Sequence, residues 1–121
     1  MRSSAIIALA AGALVALAAD AHAHALLQHA DPPVGGVVHG TPDAVRLQFS
    51  ERVEPALCAV TIEDDAHHGA PLAALTTAND GLTLVAPLRA HLASGVYHVQ
   101  WRAISVDTHQ TQGAFVFRVA P

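Results

Sequence analysis

Beyond residue 24, apolar and polar residues alternate over short stretches that are separated by turn-forming residues. Val45-Arg46-Leu47-Gln48-Phe49 puts three apolar side chains on one side and two polar ones on the other, which is the pattern of a half-buried strand. Ala56 to Ile62 reads as a second strand, mostly apolar and bounded by Pro55 and Glu63-Asp64-Asp65. Leu72 to Thr76 is a weaker third. Leu82-Thr83-Leu84-Val85 follows the turn signal Asn79-Asp80-Gly81. From Val96 to Trp101, Tyr97, Val99 and Trp101 face one way and His98 and Gln100 the other. Gly113 to Val119 closes the chain, with Phe115, Phe117 and Val119 on one face. Pro32-Pro33, Gly35-Gly36, Thr41-Pro42-Asp43, His68-Gly69 and Ser94-Gly95 mark the connections. One helical turn is expected over Pro87 to Ala93. No helical periodicity is sustained elsewhere beyond residue 23. Short strands at near-regular spacing predict an all-β, two-sheet sandwich. Tyr97, Trp101, Phe115 and Phe117 are its expected core.

The first 23 residues follow another pattern. Arg2 precedes the uncharged apolar run Ala5 to Ala19, and Ala21-His22-Ala23 supplies a small-x-small site. This is the plan of a cleaved secretory signal, and the run is short of the roughly 20 apolar residues that span a bilayer. The expected division is a signal at 1–23 and one domain at 24–121. A second small-x-small site, Ala19-Asp20-Ala21, would leave His22 first instead. Cleavage after Ala23 leaves 98 of the 121 residues, a common size for one domain.

Charge narrows the partners. The net charge is −4 and no lysine is present, which argues against nucleic acid or an anionic membrane surface. Cys58 is the single cysteine, so no internal disulfide can form and the core alone must hold the fold. It reads as a small buried hydrophobe within Leu57-Cys58-Ala59-Val60; a soft-metal ligand or an intermolecular disulfide is the alternative.

Cleavage after Ala23 would give His24 a free α-amine beside its imidazole. Those two nitrogens can chelate one metal ion, and Cu(II) suits nitrogen and oxygen donors in a flattened geometry. Asp107-Thr108-His109 adds a carboxylate and an imidazole, expected to project together because residues i and i+2 of an extended segment share a side. Together these give three nitrogens and one oxygen. Zinc would also accept His and Asp, usually as a tetrahedron. Alone, an Asp-x-His triplet is weak, since most are solvated loop residues.

Longer motifs sharpen the reading. Val99-Gln100-Trp101-Arg102-Ala103-Ile104-Ser105-Val106-Asp107-Thr108-His109 resembles the V-x-W-R-x-x-S-x-D-x-H signature of the CopC family of periplasmic copper-binding proteins. Gly113-Ala114-Phe115-Val116-Phe117 is similar to that family's closing G-x-F-x-F strand, and Leu47-Gln48-Phe49-Ser50-Glu51 to its L-x-F-S-E motif. His24 to Pro32 resembles the family's mature opening, and only a start at His24 puts Pro32 ninth. The motifs recur in order across the whole mature chain.

The resemblance implies an immunoglobulin-like β-sandwich or Greek-key barrel in the periplasm. It implies His24, Asp107 and His109 as Cu(II) ligands, with His24 giving both its amine and its ring. Glu51 is expected beside the site as a hydrogen-bond acceptor, a solvated carboxylate at a strand end being the alternative. The implied role is non-catalytic: copper buffering, resistance, or delivery to an inner-membrane importer of the CopD type. Some members also carry a methionine-rich loop that holds Cu(I). Here Met1 is the only methionine, so that second site is not expected.

In the corresponding region stands Glu63-Asp64-Asp65-Ala66-His67-His68, expected as a polar hairpin loop, with a weak second metal site at His67 and His68 as the alternative. His29, His39, His91 and His98 are expected at the surface. Two other functions use the same features. A copper oxidase of the lytic polysaccharide monooxygenase type also begins with a histidine. The short chain, 4% aromatic content and the carboxylate of Asp107 in a position oxygen activation would need open stand against it. A metal-free immunoglobulin-like interaction module is the third reading.

Overall fold

The structure, a computed structural model, describes residues 25–121. The expected signal and His24 lie outside the described residues. Eight strands are present: β1 Leu27–Asp31, β2 Val37–His39, β3 Ala44–Phe49, β4 Ala59–Asp64, β5 Thr76–Ala78, β6 Thr83–Pro87, β7 Gly95–Ile104 and β8 Gln110–Ala120. They form two four-stranded sheets, β1-β3-β6-β5 and β2-β8-β7-β4. All pairings are antiparallel except β2 with β8. The chain crosses between sheets after β1, β2, β3, β4 and β6, as in an immunoglobulin-like Greek-key sandwich.

Alternation along the strands builds the core between the sheets. Val45, Leu47 and Phe49 of β3 meet Val99, Trp101 and Ala103 of β7, with Phe115, Phe117 and Val119 of β8 beside them. Trp101 meets Phe49 edge to face, with centroids 5.1 Å apart. Tyr97 stacks on Phe117 at 5.6 Å, and its hydroxyl donates to the Ala93 carbonyl at 2.7 Å. Such a tie back to the preceding corner is common in sandwiches of this kind. All four expected aromatic core residues are buried.

Three expected elements need correction. Residues Pro55–Leu57 form a 3-10 turn, so β4 starts only at Ala59; the proline favours the first turn of a helix and cannot donate to a ladder. The strand expected over Leu72 to Thr76 reduces to one bridge between Leu72 and Leu88. The ladder with β6 begins at Thr76, where the turn at 79–81 fixes the register. The helical turn expected over Pro87 to Ala93 is extended loop. Its amides are engaged elsewhere: Leu88 N–H donates to the Asp43 carbonyl, Arg89 N–H to that of Pro71, and Leu92 N–H to Thr41 Oγ1.

The surface reading of four histidines holds, while Cys58 is less buried than expected. His29, His39, His91 and His98 are exposed. Cys58 is half-buried against the core, its sulfur receiving the Ile104 N–H at 3.4 Å, and burial pushes its thiol above the ordinary range.

Candidate metal centre

The longest hairpin presents the two side chains of interest. β7 and β8 pair without interruption from Gly95 with Val119 to Ile104 with Gln110. The five residues that close it are Ser105-Val106-Asp107-Thr108-His109. Ser105 N–H donates to the His109 carbonyl at 3.0 Å, and Thr108 N–H to the Ser105 carbonyl at 2.8 Å. Thr108 has a φ of 72°, a left-handed conformation that a β-branched residue adopts only under constraint. Asp107 and His109 therefore meet across a tight turn, not along the extended segment expected from their spacing. His109 Nδ1 lies 3.1 Å from Asp107 Oδ2, with both side chains partly open to solvent.

Ser105 supports both. It is 1% exposed, and its hydroxyl bonds Asp107 Oδ1 and receives the His109 N–H at 3.1 Å. The bond from Ser105, with help from His109, holds the Asp107 carboxyl below the usual carboxylate range.

Two other segments reach the same end of the sandwich. Residues 52–54 run beside the hairpin loop: Val106 N–H donates to the Arg52 carbonyl, Glu54 N–H to that of Ile104, and Val53 bridges to Ser105. Glu51, just ahead of this segment, has one carboxylate oxygen buried without a hydrogen-bond partner among the described residues. A buried carboxylate oxygen without a donor is costly, so the position favours an N–H or a cation. The third segment is the start of the described chain. Ala25 is fully buried and its carbonyl accepts a bond from Thr111 Oγ1 at 2.8 Å. Leu26 exchanges two bonds with Ser50, N–H to Oγ and carbonyl to N–H, each 2.9 Å.

Among the expected site residues, then, Asp107 and His109 are in contact, Glu51 belongs to the adjoining segment, and His24 lies outside the described residues. Among the described residues no three His, Cys, Asp or Glu side chains converge as a metal-binding group. This holds for the loop at 63–68 as well, where each histidine has a single carboxylate neighbour. His67 lies 3.5 Å from Glu63 and His68 3.1 Å from Asp64, while His98 of β7 lies 2.7 Å from the loop's Asp65. Sequence reasoning missed Ser50, Ser105 and Thr111, although two of them stand inside the motifs L-x-F-S-E and S-x-D-x-H.

The fold and this loop cluster define a small two-sheet β-sandwich whose carboxylate–imidazole pair closes its longest hairpin. The CopC domain family matches residues 27–120. Copper resistance protein C of Pseudomonas syringae pv. tomato is 32% identical, over 98% of this chain and 96% of that protein. Protein YobA of Escherichia coli is 36% identical, over 80% of this chain and 79% of its own length. The crystal structure of CopC from Methylosinus trichosporium OB3b matches with a TM-score of 0.73 and 30% identity, covering 81% of this chain and 95% of that one. That of PcoC, a methionine-rich copper resistance protein from Escherichia coli, gives 0.72 and 27%, covering 81% and 100%. The chain belongs to the CopC family.

Proposed function

We propose that this protein is a periplasmic Cu(II) carrier. It captures the ion at its mature amino terminus and hands it on without chemical turnover. His24 supplies the α-amine and a ring nitrogen, Asp107 a carboxylate oxygen and His109 an imidazole nitrogen. Glu51 accepts a hydrogen bond from the amine or an imidazole. Copper as the metal follows from the family; the oxidation state follows from donor chemistry, because hard and borderline nitrogen and oxygen donors suit Cu(II) while thioethers suit Cu(I).

The observation that carries this reading is the tie of a buried Ala25 to Thr111, two residues beyond the Asp107–His109 pair. Ala25 is bonded directly to His24. Asp107 and His109 are too few for a tight site alone, and a chelating neighbour completes a four-donor set. The buried oxygen of Glu51 gives the incoming nitrogen an acceptor. Binding requires a deprotonated amine and neutral imidazoles, so protons compete with the metal and acidification releases it. An inner-membrane importer of the CopD type is the receiving partner we propose, and secretion with loss of residues 1–23 is the route that creates the site.

The test is thermal unfolding of the chain beginning at His24, with and without one equivalent of Cu(II). An ion bound only by the native state raises the melting temperature. The expected result is a rise for the wild type, reduced in Asp107→Ala and His109→Ala. No rise in the wild type would refute the reading.

A further inference from the structure

We propose that Ser50 and Thr111 are positioning residues for copper capture, fixing how far the chain's first residue lies from Asp107 and His109. The proposal rests on the reading of His24 above. Both flanks of the Ala25–Leu26 peptide are tied by side-chain hydroxyls: Thr111 Oγ1 to the Ala25 carbonyl, and Ser50 Oγ to the Leu26 N–H. Thr111 stands two residues after His109, and Ser50 immediately before Glu51. Each hydroxyl therefore links the chain's start to a segment that carries a site residue.

Past the regular ladder of β1, the Leu27–Phe49 pair and the bond from Ser50 N–H to the Leu26 carbonyl hold this segment through the backbone. β1 pairs Leu27 with Phe49 and His29 with Gln48, so its register shifts between those pairs. Such a bulge separates residues 25–27 from the regular pairing of 29–31. The two hydroxyl bonds lie on the far side of the shift and add to that hold. Burial reinforces it. Ala25 is fully enclosed, whereas Leu26 is 61% exposed. A slip by one residue would force a leucine or a histidine into space that holds an alanine and turn every side chain to the wrong face. With Ala25 held, one residue precedes it at the site. A chain beginning at His22 would carry its amine about 7 Å further along an extended backbone, at roughly 3.3 to 3.6 Å per residue.

The consequence is economy in binding. A terminus already held loses little freedom when it closes on the metal, which is how preorganisation raises affinity. Thr111→Val keeps the shape and β preference of the side chain and removes only the hydroxyl. Ser50→Ala does the same at the other flank, and Thr111→Ser restores the donor.

The experiment compares these three variants with the wild type, all beginning at His24, by Cu(II) competition titration and by electron paramagnetic resonance of the copper-loaded forms. Amide hydrogen exchange of Leu26 is followed without metal. We expect Thr111→Val and Ser50→Ala to lose about threefold to tenfold in affinity, the equivalent of one net hydrogen bond, and to show a broadened or altered copper spectrum. Thr111→Ser should regain both. Leu26 exchange should quicken in Ser50→Ala. Wild-type affinity and spectrum in both variants would overturn the positioning role and leave the carrier reading intact. Failure of the wild type to bind Cu(II) would overturn both.

Discussion

Trp101 occupies the space a side chain would take at Gly113. The two residues pair across β7 and β8, and a Cβ built on Gly113 would lie 2.6 Å from Trp101 Cζ2 and 3.0 Å from its Nε1. On the core side, Phe49 meets the indole edge to face. Gly113→Ala should therefore overpack the core and cost about 1 to 3 kcal/mol. Chemical denaturation, with Trp101 emission as the probe, measures this. The denaturation midpoint is expected to fall with an unchanged slope.

Ser105→Ala tests the support beneath the proposed metal ligands. It removes the buried hydroxyl that bonds Asp107 and receives the His109 N–H. Leaving a buried donor unpaired costs about 1 to 3 kcal/mol. Stability of the metal-free protein should drop by that order, and Cu(II) affinity should fall as well, read by unfolding and by competition titration. Ser105→Thr keeps the hydroxyl and is expected to recover part of both.

Asp64 gives a pH dependence that lies away from the proposed metal centre. Its carboxyl is held below the usual range, first by the backbone N–H of His68 and then by that residue's side chain and the Ala66 N–H. A group with a depressed folded value contributes stability above its unfolded value, about 3.9 for aspartate, and loses it as pH falls through the folded one. The wild type should exceed Asp64→Ala in melting temperature at pH 5 and above. The gap should narrow as the solution is brought below about pH 4. Melting curves of both proteins across that range supply the check.

Much of the fold was legible because burial and alternation coincide. β3, β7 and β8 bury every second residue, and these strands match their sequence patterns. β1 and β2 were not legible. β1 buries only Ala30 fully and contains a bulge, while β2 is three residues at an edge with none buried. Pairing with a neighbour made these strands, and that is invisible along the chain. At the site, the Asp107–His109 spacing pointed to neighbours for the wrong geometric reason, since a turn through Thr108 brings them together. Ser50 and Thr111 were illegible because a small hydroxyl carries no periodic signal; only the partner backbone reveals its use.

Cys58 should be a slow thiol. Burial raises it above the ordinary range, and the thiolate is the reactive form. Alkylation of the folded protein at neutral pH is expected to lag well behind that of the denatured chain, followed by mass spectrometry. Rapid labelling in the folded state would show the site to be open.

The central claim is that a free amine on His24 completes the copper site begun by Asp107 and His109. The most direct measurement is the Cu(II) affinity of the chain beginning at His24 against the same chain with its α-amine acetylated. Acetylation converts the amine into an amide, brings in no new amine, and leaves the imidazole, Asp107 and His109 in place. A chelate's second donor acts at high effective concentration, so the acetylated chain should bind more than about tenfold more weakly and lose the terminal-amine nitrogen from its copper spectrum. Equal affinity and an identical spectrum in the two chains would contradict the account.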